Sequence, residues 1–232
     1  GMPRSGVLLY GDDGVCRFVG WRGISEGLRA ATEGYCPWSA GSRSAEPIAV
    51  ADIDGILRGK YLHRDKFFSA AQSGFGFCDV VFGWDSHDSC YDNTTVTGWH
   101  HGFPDALARL DLDTARHVPW DGGVPFFLGE FVQADGSPYP ICPRQTLKRV
   151  LARARELGVV PMTGMEFEWF NFAETPQTWA AKQGVGPTTL TPGMFGYSLL
   201  RMNGNRGFFN ALMDEMAAFR VPIEGLHTET GP

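Results

Sequence analysis

The chain has 232 residues, 43% of them hydrophobic and 20% charged, with a formal net charge of -6. That length and composition suffice for one sizeable core or two smaller ones. The acidic balance, without a Lys/Arg-rich run, argues against a nucleic-acid binder, and no apolar run approaches the roughly 20 residues that a membrane-spanning helix needs.

The opening residues GMPRSG lack the charged start and apolar core of a signal peptide. Cys16, Cys36, Cys78, Cys90 and Cys142 are odd in number and contain no CxxC pair. That spacing argues against a disulfide framework or a cysteine zinc site. Reduced cysteines fit a cytoplasmic protein.

Residues 1–46 are rich in Gly and Ser and are expected to be irregular, apart from a short helix over SEGLRAA capped by Ser25. PIAVADIDGILRGKYLHRDKFF, from Pro47, reads as a hairpin: Ile48, Val50 and Ile53 supply β-formers and Asp54-Gly55 the turn. Residues 75–96 read as further extended segments broken by Gly and Asp, and PDALARLDLDTARHVPW as a linking stretch. A strand from Val124 and a turn at Asp135-Gly136 follow. The change between Pro119 and Val124 predicts a domain boundary, dividing the chain into 1–46, 47–120 and 121–232.

The clearest helix covers 144–157, where Leu147, Val150, Leu151, Ala154 and Leu157 form one apolar stripe. Pro143 and Gly158 suit its two ends. A second helix is expected over 207–219, with Phe209, Leu212, Met213 and Met216 as its core face. Each helix leads into an acid-bearing strand, VVPMTGMEFEWFNF and VPIEGLHTETGP.

Side chains alternate between the faces of a strand. Glu166 and Glu168 therefore share one face and Phe167 and Trp169 the other, on which the helix stripe is expected to pack. Adjacent like charges repel unless a cation lies between them, and oxygen-only ligation favours magnesium or manganese. A solvated sheet edge, or pairing with Arg, satisfies the same pattern. In the second strand Ile223, Gly225, His227 and Glu229 share a face, with Glu224 opposite. His227 alone is more often a hydrogen-bonded structural histidine than a ligand.

Taken together, these pieces resemble the glutamine synthetase family. The matching features are Pro143-Arg144 opening a helix, the G-x-E-x-E-[FW]-F strand at Gly164–Phe170, and the later E-x(4)-E-x-G-P run from Glu224. Upstream, ADIDGILRGK is similar to the family's D-x-x-G-x-x-R-G-K hairpin and LDLDTARHVPW to its D-x-x-T-x-x-x-x-PW segment. The resemblance covers about residues 47–232, and the ETGP variant is closer to the branch acting on amines, such as gamma-glutamylpolyamine or gamma-glutamylmethylamide synthetases.

The resemblance implies an α+β fold: a small β-grasp domain over 47–120, then, over 121–232, the first part of a catalytic α/β domain with a curved, largely antiparallel sheet. It implies ATP-driven joining of ammonia or an amine to the glutamate side chain through a gamma-glutamyl phosphate. Glu166 and Glu168 become ligands of two different magnesium or manganese ions, and Glu229 shares the ion of Glu168. Glu224 falls at a nucleotide-contacting position and Tyr197 near another nucleotide-side segment. A loop acid from a neighbouring subunit's β-grasp domain helps bind the nucleophile; Asp79, Asp85 and Asp88 are candidates, with Asp85 named as the catalytic one. Family members assemble as homo-oligomeric rings, with no nucleic-acid or membrane partner.

The family pattern continues past ETGP with a further glutamate, a His-bearing strand, an arginine cluster and a last metal glutamate, none of which is in these residues. Two expectations follow: the N-terminal half of a ligase, or a non-catalytic structural or assembly module of the same fold.

Overall fold

The computed structural model describes residues 6–10, 16–20 and 45–230. The chain divides into two compact units, one up to Pro161 and one from Met162.

Strands β1 (Gly6–Tyr10) and β2 (Cys16–Gly20) pair antiparallel, with Leu8 opposite Phe18. This hairpin departs from the irregular segment expected over 1–46; its short β-forming runs lie among glycines that obscure the alternation. The helix expected at SEGLRAA lies outside the described residues.

The first unit's main sheet has five strands in the order β4-β3-β7-β6-β5. β3 (Ala45–Ala51) and β4 (Leu57–His63) form the expected hairpin. Gly55 takes a φ of 82° in its turn, a left-handed value that glycine adopts without strain. Asp52, almost fully buried, closes the turn by accepting from the backbone N–H of Asp54 and Ile56 at 3.0 and 2.8 Å. Helix α1 (Arg64–Ser73) follows, with Phe67 and Ala70 buried. β5 (Phe75–Cys78), β6 (Asp105–Val118) and β7 (Val124–Phe131) complete the sheet, in which β3 and β7 run parallel.

The core draws on inward-facing strand residues, on Phe67 of α1 and on Phe82 in the turn after β5. Ile48, Val50, Phe67, Phe75, Phe77, Phe82, Phe127 and Phe131 belong to one buried cluster. Phe131 is wholly buried, with the Phe82, Phe77 and Tyr139 rings centred 4.7, 6.0 and 6.0 Å away.

β6 corrects the reading of 104–120 as a linker. It is the longest strand, paired on both sides. Asp105, Arg109, Asp113 and His117 along it are exposed, but Asp111 is half-buried and takes an ion pair from Arg144. A register shift falls between Asp111 and Arg116, where the Thr114 hydroxyl donates to the Asp111 carbonyl at 2.6 Å and accepts from the Leu128 N–H at 2.9 Å. The side chain thus satisfies backbone groups that the shift would leave unpaired. The stretch from Pro119 to Gly123 joins two adjacent antiparallel strands, β6 and β7.

Helix α2 (Pro143–Glu156) agrees with the predicted one, and Gly158 follows it with a φ of 72°. Its packing does not. It is held through polar residues: Gln145 donates to the Phe131 carbonyl at 3.3 Å, and Lys148 reaches both Glu130 oxygens at 2.9 and 2.8 Å. Leu147 and Val150 on the apolar stripe remain 56% and 58% exposed.

From Met162 onward no described residue is fully buried. The second unit holds α3 (Pro176–Ala181), α4 (Leu199–Gly204) and α5 (Arg206–Ala218). α5 fits the predicted second helix, with Phe209, Leu212 and Met216 half-buried and Met213 exposed. The strands expected at 164–170 and from 221 have no ladder among the described residues. A strand is stable only against a partner that takes its N–H and C=O groups. Instead, Phe172 and Thr189 make an isolated bridge beside a polar hub at Glu174. Glu174 accepts from Lys182, from Thr178 Oγ1 at 2.5 Å and from the Thr188 N–H at 2.6 Å. These bonds, led by Lys182, hold its carboxyl at about 2. Among the described residues no helix is long and apolar enough to cross a membrane.

Candidate functional site

The site forms within the second unit, where 195–198 and 227–230 are stitched together. The Tyr197 N–H donates to the Thr228 carbonyl at 2.6 Å and the Ser198 N–H to the Thr228 hydroxyl at 2.9 Å. That hydroxyl in turn donates to the Phe195 carbonyl at 3.0 Å. Tyr197 is left-handed, with a φ of 56°. Such a conformation is uncommon for a bulky residue and persists where its surroundings impose it. Ser198 caps α4 by accepting from the Arg201 N–H, and the Arg201 guanidinium lies 4.1 Å from the Phe195 ring centre.

The stitching places the His227 ring flat against Tyr197, 4.8 Å between centroids and 9° between planes. His227 Nε2 lies 2.9 Å from Glu229 Oε1. Glu166 joins them: one ligand atom from each of Glu166, His227 and Glu229 lies within 4.8 Å of the other two. All three residues are exposed. Strand parity placed His227 and Glu229 on one face, and they do meet, but nothing in the sequence singled His227 out from ordinary structural histidines.

Glu168 is exposed and outside this trio. Without a ladder at 164–170, alternation no longer obliges it to point with Glu166. Glu224 is exposed as well.

Two carboxylates and an imidazole in this arrangement suit a divalent cation. Carboxylate oxygens favour a hard ion, magnesium or manganese; an imidazole nitrogen would move the preference toward a transition ion only where it binds the ion itself. The exposed setting leaves room for water or substrate oxygens in further coordination positions.

In the first unit, each candidate loop acid has a structural partner. Asp79 is buried, accepting from the Thr97 hydroxyl at 2.8 Å. Asp85 Oδ1 accepts from the backbone N–H of Ser89 and His87, at 3.0 and 2.8 Å. Those bonds, Ser89 foremost, hold its carboxyl below the ordinary range. Asp88 accepts from Arg58 Nη1 at 2.6 Å.

Arg58 explains the Asp-x-x-Gly-x-x-Arg spacing of the hairpin. Its Nε donates to Asp52 at 2.8 Å, its Nη2 reaches the Asp85 carbonyl at 3.4 Å, and its guanidinium lies 4.9 Å from the Trp84 ring centre. One side chain thus ties the 84–90 loop to the β3–β4 turn.

Comparison with known proteins bears on both units. Residues 140–232 match the family model described as glutamine synthetase, catalytic domain. Type-1 glutamine synthetase 2 of Dictyostelium discoideum is 54% identical over 185 residues, covering 80% of this chain and 35% of that protein. A glutamate–isopropylamine ligase of a Pseudomonas species is 27% identical, covering 80% of this chain and 40% of that protein. A crystal structure described as a novel glutamine synthase homolog superposes with a TM-score of 0.57 at 17% identity, over 82% of this chain and 42% of that one. The chain therefore spans about two fifths or less of the length of these relatives.

Proposed function

The chain belongs to the glutamine synthetase family, and on that premise we propose that it is a portion of an ATP-dependent ligase joining ammonia or an amine to the γ-carboxylate of glutamate. The observation that carries this reading is the meeting of Glu166 and Glu229, from the family's two glutamate motifs, in one exposed cluster, although the resemblance assigns them to different ions and Glu168 stays outside it. In this reaction the glutamate carboxylate attacks the γ-phosphorus of ATP and ADP leaves. The nitrogen nucleophile then attacks the acyl carbon and gives up a proton to the departing phosphate or to water, while the C–O bond breaks and phosphate leaves. A divalent cation, magnesium or manganese, supplies the charge neutralisation that phosphoryl transfer requires.

Glu166 and Glu229 hold cation ligand positions, and Glu168 supplies a second position from the same segment. Glu224 and Tyr197 lie toward the nucleotide. The five-stranded sheet with α1 serves as the β-grasp domain. Its Arg58-braced loop, with Asp85 at the turn, faces a neighbouring subunit's site in a homo-oligomeric ring in the cytoplasm. Matches to both a glutamine synthetase and an isopropylamine ligase support acceptor chemistry spanning ammonia and small amines.

The test is phosphate release from ATP with glutamate and a panel of amines at saturating magnesium or manganese. It is run on this chain and on a polypeptide in which the natural reading frame continues past Pro232. The longer polypeptide is expected to give glutamate- and amine-dependent release that Glu168→Ala abolishes. The 232-residue chain is expected to give none, because phosphoryl transfer needs cationic groups on several sides of the moving phosphorus.

A second reading, a non-catalytic assembly module, is favoured by one observation: Leu147 and Val150 of α2 stand exposed on one stripe, a surface suited to another polypeptide. Failure of the longer polypeptide to release phosphate favours this reading.

A further inference from the structure

We propose that Tyr197 and His227 form a positioning relay that holds the Glu229 carboxylate ready for a cation, without His227 itself becoming a ligand. This rests on the reading of Glu229 as a cation ligand.

An ionised carboxylate only accepts hydrogen bonds, so at 2.9 Å from Glu229 Oε1 the His227 Nε2 carries the proton and donates it. That bond uses the nitrogen nearest Glu229 and leaves the second carboxylate oxygen for the ion. His227 is oriented in turn by the near-parallel face of Tyr197, 4.8 Å away. Tyr197 is fixed by its backbone, through its N–H bond to the Thr228 carbonyl and its left-handed conformation. Thr228, between His227 and Glu229, thus clamps the segment that carries both. An exposed glutamate otherwise gives up considerable rotamer freedom on binding a metal. Orienting it beforehand raises affinity, as hydrogen-bond partners of ligating groups do elsewhere.

The experiment titrates the full chain with manganese, followed by electron paramagnetic resonance. His227→Ala is expected to weaken binding about 10–100-fold. Tyr197→Ala should shift it the same way, and Tyr197→Phe, which keeps the stack, should leave it at the wild-type value. Pulsed measurements on the manganese complex should show no nitrogen coupling that disappears in His227→Ala. In the metal-free chain, nuclear magnetic resonance should show a His227 ring proton moved upfield by Tyr197, with the displacement lost in Tyr197→Ala and kept in Tyr197→Phe.

Unchanged affinity in His227→Ala would overturn the relay while the cation site stood. A nitrogen coupling from His227 would overturn it by making the histidine a direct ligand. An undisplaced His227 proton would remove the stack. If wild-type protein binds no manganese, the cation-site reading falls, and the relay with it.

Discussion

Phe131→Ala should be among the most destabilising single substitutions in the first unit. The side chain is wholly buried, and the Phe82 and Phe77 rings meet it edge-on at 4.7 and 6.0 Å, with Tyr139 tilted at 6.0 Å. Truncating a buried Phe costs about 3–5 kcal/mol, of which the residual cavity is a part. Each edge-to-face pair contributes about 0.5–1.5 kcal/mol beyond area burial. With two such pairs lost, the expected cost is at the upper end, about 5 kcal/mol. That is a large fraction of the roughly 5–15 kcal/mol available to a folded domain. Urea unfolding reads it through Trp84, which packs against the same cluster. With a slope of about 2 kcal/mol per molar, the midpoint falls by about 2.5 M or the transition disappears. Leu147→Ala, on the exposed stripe of α2, should change stability by less than about 0.5 kcal/mol, a midpoint shift below about 0.25 M. Equal effects from the two substitutions, or a Phe131→Ala cost below about 1 kcal/mol, would refute this placement of the core.

Two further predictions concern pH. Glu174 is held at about 2, below the ordinary carboxylate value, so its contribution is fully present above the unfolded value and is lost as pH falls through about 2. Fluorescence of Trp179 in α3 should report that acid transition, and Glu174→Gln should remove it; an identical transition in the variant would contradict the assignment. Glu46 behaves oppositely. It is buried, Oε2 has no hydrogen-bond partner, and burial pushes its carboxyl up against a smaller pull from Arg64. Its penalty therefore appears as pH rises through the unfolded value toward the folded one. Glu46→Gln should stabilise the chain at neutral pH and do so less at pH 4, as urea midpoints at the two values would show; a destabilised variant at pH 7 would contradict this.

The features legible in the sequence were those set by local chemistry. Asp54-Gly55 marked the β3–β4 turn because glycine tolerates the left-handed conformation there. Pro143 and Gly158 bracketed α2, and the Phe/Leu/Met spacing found α5. Features decided by distant partners were not legible. The β6 stretch read as a linker, whereas it pairs on both sides and its Asp111 is taken up by Arg144 from α2. The stripe on α2 suggested core, yet Arg144, Gln145 and Lys148 dock that helix instead. At the site, the motifs pointed to Glu166, Glu168 and Glu229, of which Glu166 and Glu229 meet and Glu168 does not, and alternation placed His227 beside Glu229. The Tyr197 stack could not be foreseen, because it depends on a backbone conformation and on contacts across 30 residues.

The most direct test of the central claim is manganese binding by the intact chain, compared with Glu166→Gln, Glu229→Gln and Asp85→Asn. Binding is expected to weaken at least about tenfold in each glutamate variant, since each removes a charged oxygen ligand. Asp85→Asn, whose carboxylate caps a turn in the first unit, should bind as the wild type does. Equal binding by the wild type and the two glutamate variants would show that Glu166 and Glu229 do not form a cation site.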